Sequence, residues 1–227
     1  MSNLYDASIR QVDTQVGKLI EYLKSSSLDR NTVVALTSDH GEEFLEHGGV
    51  LHGATHFEEV VHVPLIMAGR GIPTGVRIKT PVSLIDVVPT ALACLGLPIP
   101  AGLDGSELRG LWKEPDRVSD RVIFMEADHS PLSARTPGSR RAARQGRFKL
   151  HYDIFRQSAQ LYDVEHDPGE RRDVMEQYPE VAERMLVRLR DFLEGEQAVT
   201  PGRALDLEER QLLESLGYIE EEEPARP

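Results

Sequence analysis

The sequence predicts an α/β domain followed by a small α+β subdomain, and three observations predict it. An amphipathic stretch leads into a β-branched apolar run. That run stops at a polar turn, and from about Lys113 short alternating strands and one later helix take over. On this reading residues 1–112 form the α/β portion, residues 113–200 the smaller subdomain and residues 201–227 a helical and acidic tail.

The elements justify that division in order. Ile9, Val12, Val16, Leu19 and Leu23 recur in steps of three and four, with Arg10, Asp13, Gln15 and Lys18 off the stripe. This is the spacing of one helical face, and Ser25-Ser26-Ser27 ends it. Thr32-Val33-Val34-Ala35-Leu36-Thr37 is nearly continuous and β-branched, the pattern of a strand buried on both faces of a parallel sheet. It stops at Ser38-Asp39-His40-Gly41, where an open α/β sheet places its ligands.

Residues 41–59 read as a polar loop. Val63-Pro64-Leu65-Ile66-Met67-Ala68 is a second strand with its proline at the start. Residues 76–79 read as a short edge strand. Ser83 to Leu92 leads into a helix that accommodates Pro89 in its first turn and ends at Gly96 and Pro98.

In the second portion, residues 121–126, 147–152 and 160–163 read as strands and residues 179–193 as a helix, with Val181, Met185, Leu189 and Phe192 on one face. Residues 128–146, rich in Arg, Ser, Pro and Gly, read as an exposed, mobile loop carrying Arg140, Arg141 and Arg144. Residues 206–216 form a last helix on this reading, and the acidic end reads as disordered.

Composition narrows the function. The formal net charge is -12. An acidic chain argues against nucleic-acid binding, which needs clustered Lys and Arg, yet leaves room for a small anionic substrate in a locally positive site. Cys94 is the single cysteine, so no internal disulfide forms. No apolar run reaches the length of a membrane span, and residues 1–6 show no signal-peptide pattern. Taken as complete, the chain reads as cytoplasmic; taken as a fragment, it leaves localisation open.

Five of the eight histidines, His40, His47, His52, His56 and His62, fall in one region beside Glu42-Glu43 and Glu58-Glu59. Imidazole and carboxylate are ordinary ligands of divalent cations. Asp39 and His40, adjacent at a strand end, are the pair best placed to share one ion. His47 reads equally as a pocket residue or a loop cap, and His56 and His62 read as structural.

Thr37-Ser38-Asp39-His40-Gly41-Glu42-Glu43 resembles the metal-binding segment of the sulfatases, within the alkaline phosphatase superfamily. His52-Gly53-Ala54-Thr55 through Glu58-Glu59 to Val63-Pro64-Leu65-Ile66, then Ser83 to Thr90, Leu103-Asp104-Gly105 and Leu161-Tyr162-Asp163 with Asp167-Pro168-Gly169-Glu170, are similar to later sulfatase segments in the same order. The resemblance implies a partial alkaline-phosphatase-like sandwich with a small α+β carboxyl-terminal subdomain. It implies a divalent metal, calcium in most of the family, held in part by Asp39 and His40. It also implies that His52 contacts the sulfate of an anionic sulfate-ester substrate.

The family's nucleophile is a formylglycine made from a Cys/Ser-x-Pro-x-Arg motif. Cys94 lacks that context, no serine has a proline two residues on, and no early Asp-Asp pair precedes Asp39. The expectation is a sulfatase-like hydrolase fragment inactive by itself, with a missing amino-terminal half. The alternatives are a phosphoester or phosphonate hydrolase of the same superfamily and a non-catalytic pseudoenzyme module.

Overall fold

The computed structural model describes residues 2–117, 119–127 and 140–196. The expected helix at 206–216, the acidic end and most of the expected loop at 128–146 lie outside the described residues. The chain divides into two compact units: residues 1–51 with 57–123, and residues 52–56 with 124–227.

The first unit begins with helix α1 (Ser2–Ser25). Its stripe is as the spacing predicts, but Val12 is 59% exposed, and Leu4, Ile9, Leu19 and Tyr22 are exposed too. Strand β1 (Val33–Thr37) pairs with β4 (Leu65–Gly69) in a two-stranded sheet, with Val33 opposite Gly69 and Thr37 opposite Leu65. The pairing is antiparallel, which corrects the expectation of a parallel sheet. A continuous apolar run carries no strand direction, which is decided by how the chain returns, and β1 is half-buried to exposed rather than buried on both faces. A small hairpin, β2 (Glu43–Phe44) with β3 (Val50–Leu51), and the single-turn helix α2 (Glu58–Val61) fill the return.

Residues 76–79 are irregular rather than an edge strand. Lys79 is tied there by its N–H to the Pro115 carbonyl at 3.1 Å and by an exposed ion pair to Asp116.

Helix α3 (Val87–Leu95) carries four of the buried residues of this unit: Pro89, Thr90, Ala93 and Cys94. Pro89 lies in the first turn, where a missing N–H costs nothing, and Gly96 ends the helix with a φ of 71°. Just before α3, the fully buried Asp86 carboxylate accepts from the N–H groups of Ser83 (2.8 Å) and Ser106 (2.7 Å) and pairs with Arg121 Nη1 at 2.7 Å. One carboxylate thus joins three distant chain segments. Gly105 permits it, because a β-carbon there would stand 1.9 Å from the Ile85 carbonyl oxygen.

The second unit is a four-stranded sheet in the order β5 (Val122–Ala127), β6 (Arg140–Gln145), β7 (Phe148–Asp153), β8 (Ser158–Asp163), followed by α4 (Pro179–Glu196). Strand β6 corrects the loop expectation for residues 140–145. Its arginines mask a strand whose middle residues, Ala142 and Ala143, are completely buried. Alternation places Phe148, Leu150 and Tyr152 of β7 on one face. Leu150 stands opposite both Ala143 and Leu161. With Met185 and Leu189 of α4 also fully buried, a continuous core results.

Lys149 and His151 occupy the other face of β7 and reach the same carboxylate. Lys149 Nζ lies 3.1 Å from Glu170 Oε2, and His151 Nε2 lies 2.8 Å from Glu170 Oε1, with Lys149 0% exposed. Burial pushes the Glu170 carboxyl up, but the His151 bond and the Lys149 ammonium outweigh it and hold the group below its ordinary range. The turn before it is built by Asp167, whose carboxylate accepts from the N–H groups of Arg171 and Arg172, each at 2.8 Å.

Candidate functional site

Asp39 and His40 lie immediately beyond the carboxyl end of β1, as the sequence predicts. The turn is fixed from three sides. Ser38 Oγ donates to the His40 carbonyl at 2.7 Å, the His40 N–H donates to Asp39 Oδ1 at 3.0 Å, and the Gly41 N–H donates to the Val60 carbonyl at 2.7 Å. Gly41 is required by space, since a β-carbon would stand 2.1 Å from the Glu59 carbonyl oxygen. A glycine therefore lets the turn lie against α2 and orients the pair before it.

His40 Nδ1 lies 2.9 Å from the Gly41 carbonyl oxygen, a contact that makes Nδ1 the protonated nitrogen and leaves the lone pair on Nε2. That Nε2 faces Asp39 Oδ2 at 3.6 Å. The separation is long for a hydrogen bond and close to that of two neighbouring ligands on one cation at about 2.0–2.5 Å each. The Asp39 side chain is 70% exposed and the His40 ring about a third exposed, so an ion or solvent can approach. The donor set fits a divalent cation. A carboxylate oxygen suits a hard ion, while an imidazole nitrogen suits a borderline one better than calcium.

A second cluster, which the sequence reading left divided, lies on the following hairpin and α2. His47 Nδ1 is 2.6 Å from Glu59 Oε1, and the His47 ring stacks on Phe57 with centroids 3.5 Å apart and planes 6° apart. Glu43 is buried and accepts from the N–H groups of His47 (3.3 Å) and Gly49 (2.7 Å). Glu43, His47 and Glu59 each offer a ligand atom within 4.8 Å of the others. His47 is thus a clamp between hairpin and α2, the cap reading of the two. His62, paired with Glu58 at 3.3 Å and largely exposed, faces solvent.

His52 lies in the second unit, half-buried and four residues ahead of the buried His56. Cys94 is buried on α3, and burial pushes its thiol up, the opposite of an activated nucleophile. The Lys149–Glu170–His151 network was missed by sequence reasoning. Its available signal was two polar residues at alternate positions of a predicted strand, which share one face.

Comparison with known proteins fits this arrangement. Residues 1–97 match the family described as Sulfatase. Human arylsulfatase K is 30% identical over 196 residues, which are 83% of this chain and 36% of that protein. Among solved structures, the 2-O GAG sulfatase BT1596 superposes with a TM-score of 0.66 at 25% identity, over 82% of this chain and 41% of that one. The phosphonate monoester hydrolase of Silicibacter pomeroyi gives 0.63 at 28% identity, over 82% and 38%. The chain spans about a third of the length of the curated relatives it matches, 36% in the example given.

The matched family model and the sulfatase and phosphonate hydrolase structures support the alkaline phosphatase superfamily as the class of protein. Within that superfamily the comparisons support the sulfatase family, whose model matches residues 1–97.

Proposed function

We propose that this chain is the part of a sulfate-ester hydrolase that supplies Asp39 and His40 to a divalent-cation site and His52 to the sulfate of the substrate. The observation that carries the reading is the turn after β1, where a carboxylate oxygen and an imidazole lone pair face each other at 3.6 Å. A cation bound there would stabilise charged ester oxygens and polarise an attacking group. The chain's own contribution is to hold the two ligands in that geometry through Ser38, Gly41 and the Gly41–Val60 bond. Calcium is the ion the family resemblance favours, and the imidazole ligand makes manganese and zinc the informative competitors.

The sequence holds no Cys/Ser-x-Pro-x-Arg motif and no early aspartate pair, so the nucleophile and the remaining ligands come from a further, amino-terminal polypeptide segment. Two results are expected of the purified chain: no turnover of an aryl sulfate, and cation binding no tighter than about 0.1–1 mM, because roughly half of a hard-cation ligand set is present. Calorimetry with calcium, manganese and zinc on the wild type and on Asp39→Ala tests this. Heat that Asp39→Ala does not alter would remove the ligand assignment. Aryl sulfate turnover abolished by Asp39→Ala would show instead that the chain is catalytically sufficient.

A second reading, hydrolysis of phosphonate or phosphate esters, is supported by the 28% identity to a phosphonate monoester hydrolase. Sulfate and phosphonate aryl esters compared on a protein carrying the nucleophile segment separate the two. A third, a non-catalytic pseudoenzyme, predicts turnover of neither ester by that protein.

A further inference from the structure

Residues 52–56 belong to the second unit although the chain on both sides of them belongs to the first. Two backbone attachments hold this segment. The Ala54 carbonyl accepts from Arg140 Nη1 at 3.2 Å. His56, 2% exposed, bonds the backbone carbonyl of Glu126 in β5. His56 Nε2 has no hydrogen-bond partner among the described residues, so the bond to Glu126 is made by Nδ1–H and the tautomer is set.

The ring sits edge-on to His151, with centroids 6.4 Å apart. Arg141 of β6 and Lys149 and His151 of β7 act against a charge on it, with Glu170 facing the last two. Burial first, and then those three neighbours, push the imidazole down to about 3, so it stays neutral and keeps one donor at fixed geometry. An apolar residue would fill this place without a buried polar atom to satisfy. What an imidazole adds is the directional N–H to β5.

We propose that His56 is a positioning residue for His52: its Nδ1–H bond to the Glu126 carbonyl, together with the Arg140–Ala54 bond, fixes the chain path that aims the His52 ring. The inference rests on the reading of His52 as the sulfate contact. It adds a role for the second unit, which is to hold the substrate-contacting segment in place.

Hydrogen exchange and histidine-ring NMR on the full chain test it, using His56→Phe, which fills the space without the donor, and His56→Asn, which places an amide N–H near the Nδ1 position. His56→Phe should raise exchange in residues 52–56 about tenfold, while amides of β7 keep their protection. The His52 ring signal should shift in His56→Phe and return in His56→Asn. Unchanged protection and an unshifted His52 signal in His56→Phe would overturn the proposal. So would protection lost equally across β7, or a His56→Asn variant that restores nothing. A separate titration with inorganic sulfate tests the underlying reading. If sulfate leaves the wild-type His52 signal unmoved, the anion role of His52 fails, while the exchange data still decide whether His56 fixes the segment.

Discussion

The two units bury their apolar residues differently. In the second, Ala143, Leu150, Leu161, Met185 and Leu189 are buried together between one face of a four-stranded sheet and α4, while Ala142 is buried on the opposite face, across from His151. In the first, burial concentrates around α3 and Asp86, while the stripe of α1 and Ile66 of β4 stay exposed. A 24-residue amphipathic helix with Ile9, Val12 and Leu19 of its stripe exposed offers an apolar surface that another segment or copy can cover. A chain that spans about a third of its relatives' length is consistent with that. The lesson is that the second unit is held by a continuous apolar core, whereas the first fixes the Asp39-His40 turn by local hydrogen bonds and ties the start of α3 to distant segments through the buried Asp86 carboxylate.

That contrast can be broken by mutation. The largest effect is expected at the buried pair of the second unit. Lys149→Ala leaves Glu170 charged and buried, and should cost about 3–5 kcal/mol in a denaturant melt. Leu161→Ala, which opens a cavity opposite Leu150, should cost about 2–5 kcal/mol. Asp86→Ala removes the acceptor of two N–H groups and the partner of Arg121, and should cost the first unit about 2–4 kcal/mol while leaving exchange protection in β7 intact. If Asp86→Ala destabilises both units equally, they do not fold separately. At the small end, Val12→Ala on the exposed stripe should change stability by less than about 0.5 kcal/mol. A loss comparable to that of Leu161→Ala would mean that the stripe is buried in solution, by another copy or another segment.

A pH series sharpens the comparison further. His56 titrates near 6.5 when unfolded and at about 3 when folded, so the unfolded chain takes up its proton first. Its contribution is therefore fully present above pH 6.5 and is lost as pH falls toward 3, at up to about 1.4 kcal/mol per pH unit. Glu170 and Asp163, both held below their ordinary range, add losses of the same sign nearer the carboxylate range. Between pH 6.5 and 5 His56 contributes a slope of this sign, and His56→Phe should flatten the slope in a melt of the full chain. A slope in that window that His56→Phe leaves unchanged would assign it to another histidine.

Much of this was legible beforehand. The stripe of α1, the β1 run, the turn at Asp39-His40, the α3 segment with its proline in the first turn, and the strands β5, β7 and β8 follow from spacing and residue type. Strand β6 was not legible, because its arginines read as loop chemistry while the two alanines that fix its burial carry almost no hydrophobic signal. The clamp of His47 between Glu59 and Phe57 was legible only as a histidine near carboxylates. Its partner lies twelve residues away, on a different element.

The sequence alone determined the order of elements, the family, and the adjacency of a carboxylate and an imidazole at a strand end, because these depend on local periodicity and on neighbours along the chain. The tertiary structure decided that β1 and β4 run antiparallel, that Asp86, Lys149 and Glu170 are buried and paired, and that His56 belongs to the second unit. Those outcomes depend on which distant groups meet and whether water is excluded between them, and no one-dimensional pattern encodes that.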